Sequence, residues 1–139
     1  MAVAFTARLA CGRISGQVAE VGKAMIAALA TAARQYACDV PLYCLLPDPL
    51  HLVLRGTTSN ADTWKAMTAF KQRSGRWLAR NLPGTRWQKD FYDQILRDES
   101  EMLAAIAYLA ANPFRAGLVH DPTDDPLKGS IGCDADGAA

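Results

Sequence analysis

The order of hydrophobic periodicities along these 139 residues predicts a single α+β domain, an antiparallel sheet built βαββαβ with helices on one face and a further C-terminal helix. Three observations carry that expectation. A two-residue alternation at the start gives way to a long three-and-four-residue repeat. Two apolar runs then follow with only Pro47-Asp48-Pro49 between them, and a second helical stretch leads through an aromatic run to a third.

The elements follow in order. Val3, Phe5, Ala7 and Leu9 alternate with Ala4, Thr6 and Arg8, as on a half-buried strand, and turn formers around Gly12 to Gly16 end it. From Gln17 to about Ala37, Val18, Val21, Met25, Leu29, Ala32 and Tyr36 mark one face of a helix. Val40 to Leu46 and Leu50 to Gly56 read as a hairpin, because the prolines between them remove ladder donors and favour a turn. Asn60 to Leu82 is helical, with Trp64, Met67, Phe70, Ser74, Trp77 and Leu78 in one broad arc and Pro83-Gly84 as its stop. Trp87 to Leu96 is the fourth strand. A third helix starts at Asp98, whose spacing to Glu101 is that of a capping pair, and stops at Asn112-Pro113. This order is ferredoxin-like. Residues 1–120 form the domain, and 121–139 read as a flexible acidic tail.

Half of the residues are hydrophobic and 21% are charged, which fits a globular protein and excludes wholesale disorder. The net charge of +1 conceals an asymmetry. Residues 121–139 hold five acids and one base, so the first 120 carry fourteen bases against nine acids. Cys11, Cys38, Cys44 and Cys133 form no C-x-x-C pair and have no histidine at zinc-ligand spacing, as in reduced cytoplasmic proteins. The longest nearly uncharged stretch, Ala24 to Ala33, is half of a membrane span, and the N-terminal run lacks signal-peptide order. A cytoplasmic protein without membrane association is expected.

Three features bear on chemistry. Lys65, Arg73, Arg76 and Arg80 fall in one narrow arc of the second helix, opposite its apolar face, and residues 65–97 carry eight bases and two acids. Such a stripe suits a phosphate backbone, although a solvated helix face has the same pattern. On the third helix, Met102, Leu103, Ile106 and Leu109 form the expected buried stripe, and Tyr108 projects away from it among Glu101, Ala104, Ala105 and Asn112. A phenol is mostly neutral near pH 7, so its use as a nucleophile requires an electrophilic phosphorus, whereas a rim tyrosine in water requires nothing. His51 shares a strand face with Val53 and Arg55. It is one of two histidines, and His120 has no clear partner.

Several separated segments resemble the REP-associated tyrosine transposases, within the HUH-type single-tyrosine transposases of bacterial insertion sequences. YCLLPDPLHLVLRG is similar to the family's strand, Met-Pro-Asn-His-hydrophobic-His and next strand. RWQKDFYDQILRDESEM resembles its tryptophan-led fourth strand and acidic cap, and AYLAANPFRAGLV its Tyr-Ile-x-x-Asn-Pro-x-Arg-Ala-Gly-Leu-Val signature. The resemblance covers about residues 2–120. It implies binding of single-stranded or hairpin DNA, and nicking and rejoining through a 5′-phosphotyrosine with a divalent metal, Mg²⁺ or Mn²⁺. By position Tyr108 is the nucleophile, His51 the second metal histidine and Asn112 a polar metal-facing group. Some relatives are dimers, so a homodimer is one expected assembly.

One departure weakens the metal site: the first histidine of the pair falls on Pro49, which has no ligating atom. Asp48 points the other way on a regular strand, and Gln94 stands where many relatives have histidine. Weak metal binding is expected, since Mg²⁺ and Mn²⁺ tolerate incomplete protein cages. The alternative is a catalytically impaired, domesticated or remnant module that grips DNA and cuts nothing. An RNA-binding domain of the same topology is disfavoured by the lack of a paired aromatic platform. The first two readings share one expectation, that Tyr108 and His51 converge beside a positively charged groove.

Overall fold

The computed structural model describes residues 1–11, 18–45, 49–111 and 128–132. In chain order the elements are β1 (Ala2–Ala7), β2 (Leu9–Cys11), α1 (Val18–Gln35), β3 (Cys38–Cys44), β4 (Leu50–Gly56), α2 (Thr63–Asn81), β5 (Arg86–Trp87), β6 (Tyr92–Leu96), α3 (Glu99–Ala110) and β7 (Lys128–Ile131). Five strands form an antiparallel sheet in the order β6-β1-β4-β3-β7, and β2 pairs with β5 in a separate ribbon. The α+β architecture expected from the sequence is present.

The central strand β4 divides the molecule. Leu50, Leu52 and Leu54 enter the main core with Val3 and Phe5 of β1, Val21, Met25 and Leu29 of α1, and Met67, Phe70 and Leu78 of α2. Val53 lies in a second, smaller cluster with Ala2, Leu42, Cys44, Leu96 and Met102. The helices therefore occupy both faces, α1 and α2 on one and α3 on the other, whereas one covered face was expected. The reason is that both faces of the inner strands are apolar: Ala2, Ala4 and Val53 would otherwise meet water.

The first and fourth strands are each broken in two. Ala7 pairs with Leu50 as the last rung between β1 and β4, and the position that would follow is Pro49, which has no N–H to donate. Beyond that rung the chain turns off into the ribbon, where Leu9 faces Trp87. The returning segment follows the same break, leaving β5 at Trp87 and rejoining the main sheet at Tyr92, opposite Thr6. Its intervening carbonyls are gathered by Lys71, whose Nζ donates to Gln88 at 2.6 Å, Lys89 at 3.1 Å and Asp90 at 3.4 Å. The same ammonium lies 5.2 Å from the Phe91 ring centroid, and Phe91 packs on Phe5 and Trp64.

The helices begin where the sequence places their caps. Asp62 Oδ1 accepts from Lys65 N at 2.9 Å, and Asp98 Oδ1 from Glu101 N at 2.8 Å. Glu101 reaches back to Arg97 N at 3.0 Å, one residue beyond a regular capping box. At its other end α1 stops before Ala37, which adopts a left-handed φ of 56°.

Some expectations are corrected. Residues 128–131 were expected to be loose chain, yet β7 pairs along β3, whose outer edge would otherwise lack partners. On α2 the buried face is Ala66, Met67, Phe70, Ser74 and Leu78, and Trp64 is 53% exposed. On α3 Leu103 is exposed; the helix packs through Met102, Ala105, Ile106 and Leu109. The packed arc of α3 runs through residues 102, 105, 106 and 109, and Leu103 falls outside it. No helix of the described residues is long and apolar enough to cross a membrane.

Ser74, buried in the apolar face of α2, is satisfied on both sides. Its hydroxyl donates to Phe70 O at 2.7 Å and accepts from Trp87 Nε1 at 2.9 Å, fastening the ribbon to the main core. Ser74→Ala leaves the indole donor unpaired and is expected to cost about 1–2 kcal/mol in urea unfolding. Trp87→Phe in the same background removes the orphaned donor, so the double variant should lose less than the sum of the two single changes.

Candidate functional site

Register aligns one residue from each of five strands in a row across the sheet, and the side chains of Tyr92, Thr6, His51 and Cys44 lie on its α3 side. Tyr92 faces Thr6, Thr6 faces His51, His51 faces Cys44 and Cys44 faces Lys128. The row follows from the two-residue period: Ala2 and Ala4 share the face of Thr6, Val53 shares that of His51, and Leu96 shares that of Tyr92. Thr6 Oγ1 lies 3.0 Å from His51 Nδ1, so any further ligand of the ring must use Nε2. The buried Cys44 thiol donates to Leu109 O at 3.6 Å, tying the row to the helix residue after Tyr108.

Between β1, β6 and α3 lies a cleft of about 880 Å³, lined by Thr6, Tyr92, Gln94, Ala104, Ala105 and Tyr108, among others. Tyr108 is 63% exposed there, beside the two small residues that the sequence placed next to it. Thr6 belongs to both the cleft wall and the His51 contact. Tyr108 and His51 thus stand on the same side of the sheet, and Thr6 lines the cleft of the one and contacts the ring of the other.

His51 is half-buried, and its pKa is lowered first by burial and then by the nearby positive charge of Arg8. A neutral imidazole is therefore favoured at pH 7, the form that can ligate a metal or accept a proton.

The basic stripe lies elsewhere. Lys65, Arg73, Arg76 and Arg80 are exposed on α2, which packs on the opposite face of the sheet from α3. The expectation that this stripe flanks the tyrosine and histidine is overturned, because the sheet separates the two helices. A groove on the α2 side is instead lined by Lys71, Gln72, Arg76, Trp87, Lys89 and Phe91. Thr6, Cys44 and Tyr92 were not singled out from the sequence. Their only signal was position across the sheet, one strand from His51 for Thr6 and Cys44 and two for Tyr92, which becomes visible once the register is known.

Asn112 lies outside the described residues, as do Asp48 and His120. Among the described residues, no group of three or more His, Cys, Asp or Glu side chains is arranged to hold a metal ion. Pro49 is described, at the bend before β4, and offers no donor. The described donor set of one imidazole does not fit a protein-built cage for Mg²⁺ or Mn²⁺.

No family model matches the chain. A curated protein of Haemophilus influenzae, described as a REP-associated tyrosine transposase, is 23% identical over 107 residues. The match takes in 68% of this chain and 60% of that protein, so the chain spans well under two thirds of its relative's length. A solved structure of a REP-associated tyrosine transposase bound to a REP hairpin superposes with a TM-score of 0.75 at 20% identity, over 91% of this chain and 74% of that one. The chain resembles the REP-associated tyrosine transposases in both sequence and fold.

The lowered His51 pKa has a defined sign in stability. The unfolded chain takes up the proton near the ordinary value of 6.5, before the folded chain does. Stability is therefore full above that value and is lost as pH falls through the folded midpoint. In metal-free buffer, an NMR titration of the His51 ring is expected to give a midpoint below 6.5. The stability lost between pH 7.5 and 5.5 should shrink in His51→Gln.

Proposed function

We propose that this chain is a transposase-family protein that binds hairpin or single-stranded DNA and forms a covalent link to it through Tyr108. The observation that carries this reading is the shared cleft: an exposed phenol and the threonine that holds His51 line one cavity. The fold resembles that of a transposase bound to a DNA hairpin.

In the proposed step the Tyr108 oxygen attacks the scissile phosphorus as its proton departs. The phosphorus–O3′ bond breaks, and the leaving 3′ oxygen gains a proton. The products are a 5′-phosphotyrosine and a free 3′-hydroxyl, and the reverse attack by that hydroxyl restores the strand. One phosphodiester is exchanged for another, so no external energy source is needed.

What a divalent ion supplies, when bound, is neutralisation of charge at the phosphate. His51 and Asn112 would be its protein ligands, and DNA and water would have to complete the shell. Pro49 favours a second reading, in which DNA is bound and not cut. The two readings divide on one experiment. A hairpin-containing single strand incubated with Mn²⁺ is expected to give a covalent protein–DNA adduct that Tyr108→Phe abolishes; no adduct with any divalent metal would leave only binding.

The proline gives a separate test. Pro49→His puts a second imidazole two residues before His51, and Mn²⁺ affinity by calorimetry is expected to rise by on the order of tenfold or more. Unchanged affinity would show that residue 49 does not face the site.

A further inference from the structure

We propose that the cleft between β6 and α3 receives an unpaired base of the bound DNA strand, stacked on Tyr92. The inference rests on the DNA-binding reading above and assigns a base-binding role to a residue outside the tyrosine and histidine pair.

Tyr92 is 71% exposed although it sits in a strand of the main sheet. Among the described residues no hydrogen bond or ring contact holds its side chain, unlike Trp64, Phe91 and Trp87, which all pack on other rings. Leaving a large ring in water is unfavourable, and stacking with a nucleobase covers it without demanding a sequence. The cleft volume of about 880 Å³ lies in the range of pockets that enclose small organic ligands.

The rest of the lining favours a base over a phosphate. Gln94 brings an amide and Glu101 a carboxylate, which repels phosphate but accepts hydrogen bonds from base amino groups. Glu101 already accepts from Arg97 N, so its carboxylate is held in place.

A path to the cleft is also present. Residues 88–91 join the α2 groove, with Arg76, Trp87 and Lys89, to the first residue of β6, and Lys71 fixes their backbone. Because β6 is an edge strand, a DNA strand leaving a stem on the α2 side can round that edge without crossing the sheet. Tyr92 is the first aromatic side chain that it meets on the α3 side.

The test compares the full chain's affinity, in metal-free buffer, for a blunt hairpin and for hairpins with an unpaired 5′ or 3′ extension carrying 2-aminopurine. One extension is expected to tighten binding about tenfold, the scale of a single base stacked on an aromatic ring, and to quench the 2-aminopurine emission. Tyr92→Ala should lose both the gain and the quench yet bind the blunt hairpin as the parent does. Tyr92→Phe should keep both. Arg76→Ala should weaken blunt and extended hairpins alike. Blunt binding with no gain from either extension, or a gain and quench that survive Tyr92→Ala, overturns the inference alone. Failure of every hairpin to bind overturns the DNA-binding reading and the inference with it.

Discussion

The alternation of one central strand is the constraint on which the rest depends. Leu50, Leu52 and Leu54 must be buried, and their burial commits His51, Val53 and Arg55 to the opposite face. A slip of one residue would put the imidazole and guanidinium into the main core and three leucines under α3. The large cost of that exchange fixes His51 more firmly than any contact it makes. The neighbours inherit the setting: Thr6 and Cys44 reach the imidazole because their own strands obey the same rule. At the far end of the face Arg55 forms a two-pronged pair with Asp39, through Nε at 3.1 Å and Nη2 at 2.6 Å. That pair satisfies a carboxylate only 4% exposed and closes the end of the sheet away from the site.

Pro49 acts twice. As a residue without an N–H it coincides with the end of the ladder between β1 and β4, where the chain departs into the β2–β5 ribbon. On the proposed metal-binding reading, it also leaves the position two before His51 without a ligating atom. The backbone effect is compatible with the fold, because Lys71 and the Ser74–Trp87 bond secure the detour that follows. The ligand effect has no such compensation among the described residues. One residue can therefore preserve the architecture of the site and deplete its donor set.

Much of this was legible in the sequence, and the misses share a cause. The alternation of Val3, Phe5 and Ala7 and the capping pair Asp98–Glu101 are local signals, and they hold. Asn112 and the signature after it fall outside the described residues, so the resemblance is tested there by sequence alone. What failed required knowledge of partners. The break after Ala7 depends on Pro49, more than forty residues away, and Lys128–Ile131 becomes a strand only because β3 offers an open edge. The layer occupied by α2 could not be read from its helical wheel, which gives an outward face without saying what the inward face meets. That is why the basic stripe was expected beside Tyr108.

The separation of that stripe from the cleft has a consequence for how binding and chemistry relate. Contacts from α2 to a phosphate backbone act through charge and fade over about 10 Å at moderate salt, so they cannot tune the reacting phosphorus across a sheet. Conversely, the lowered pKa of His51 arises from burial and Arg8, not from the α2 arginines. On the proposed reading, the charge-based part of DNA affinity and competence at the tyrosine are set by different side chains on different layers. On that reading, the missing ligating atom at residue 49 removes nothing from the α2 surface. If α2 grips a stem in this way, that contact tolerates changes at the cleft and does not itself require Tyr108, so an accessible phenol in a small-residue setting fits the covalent step better than stem binding alone.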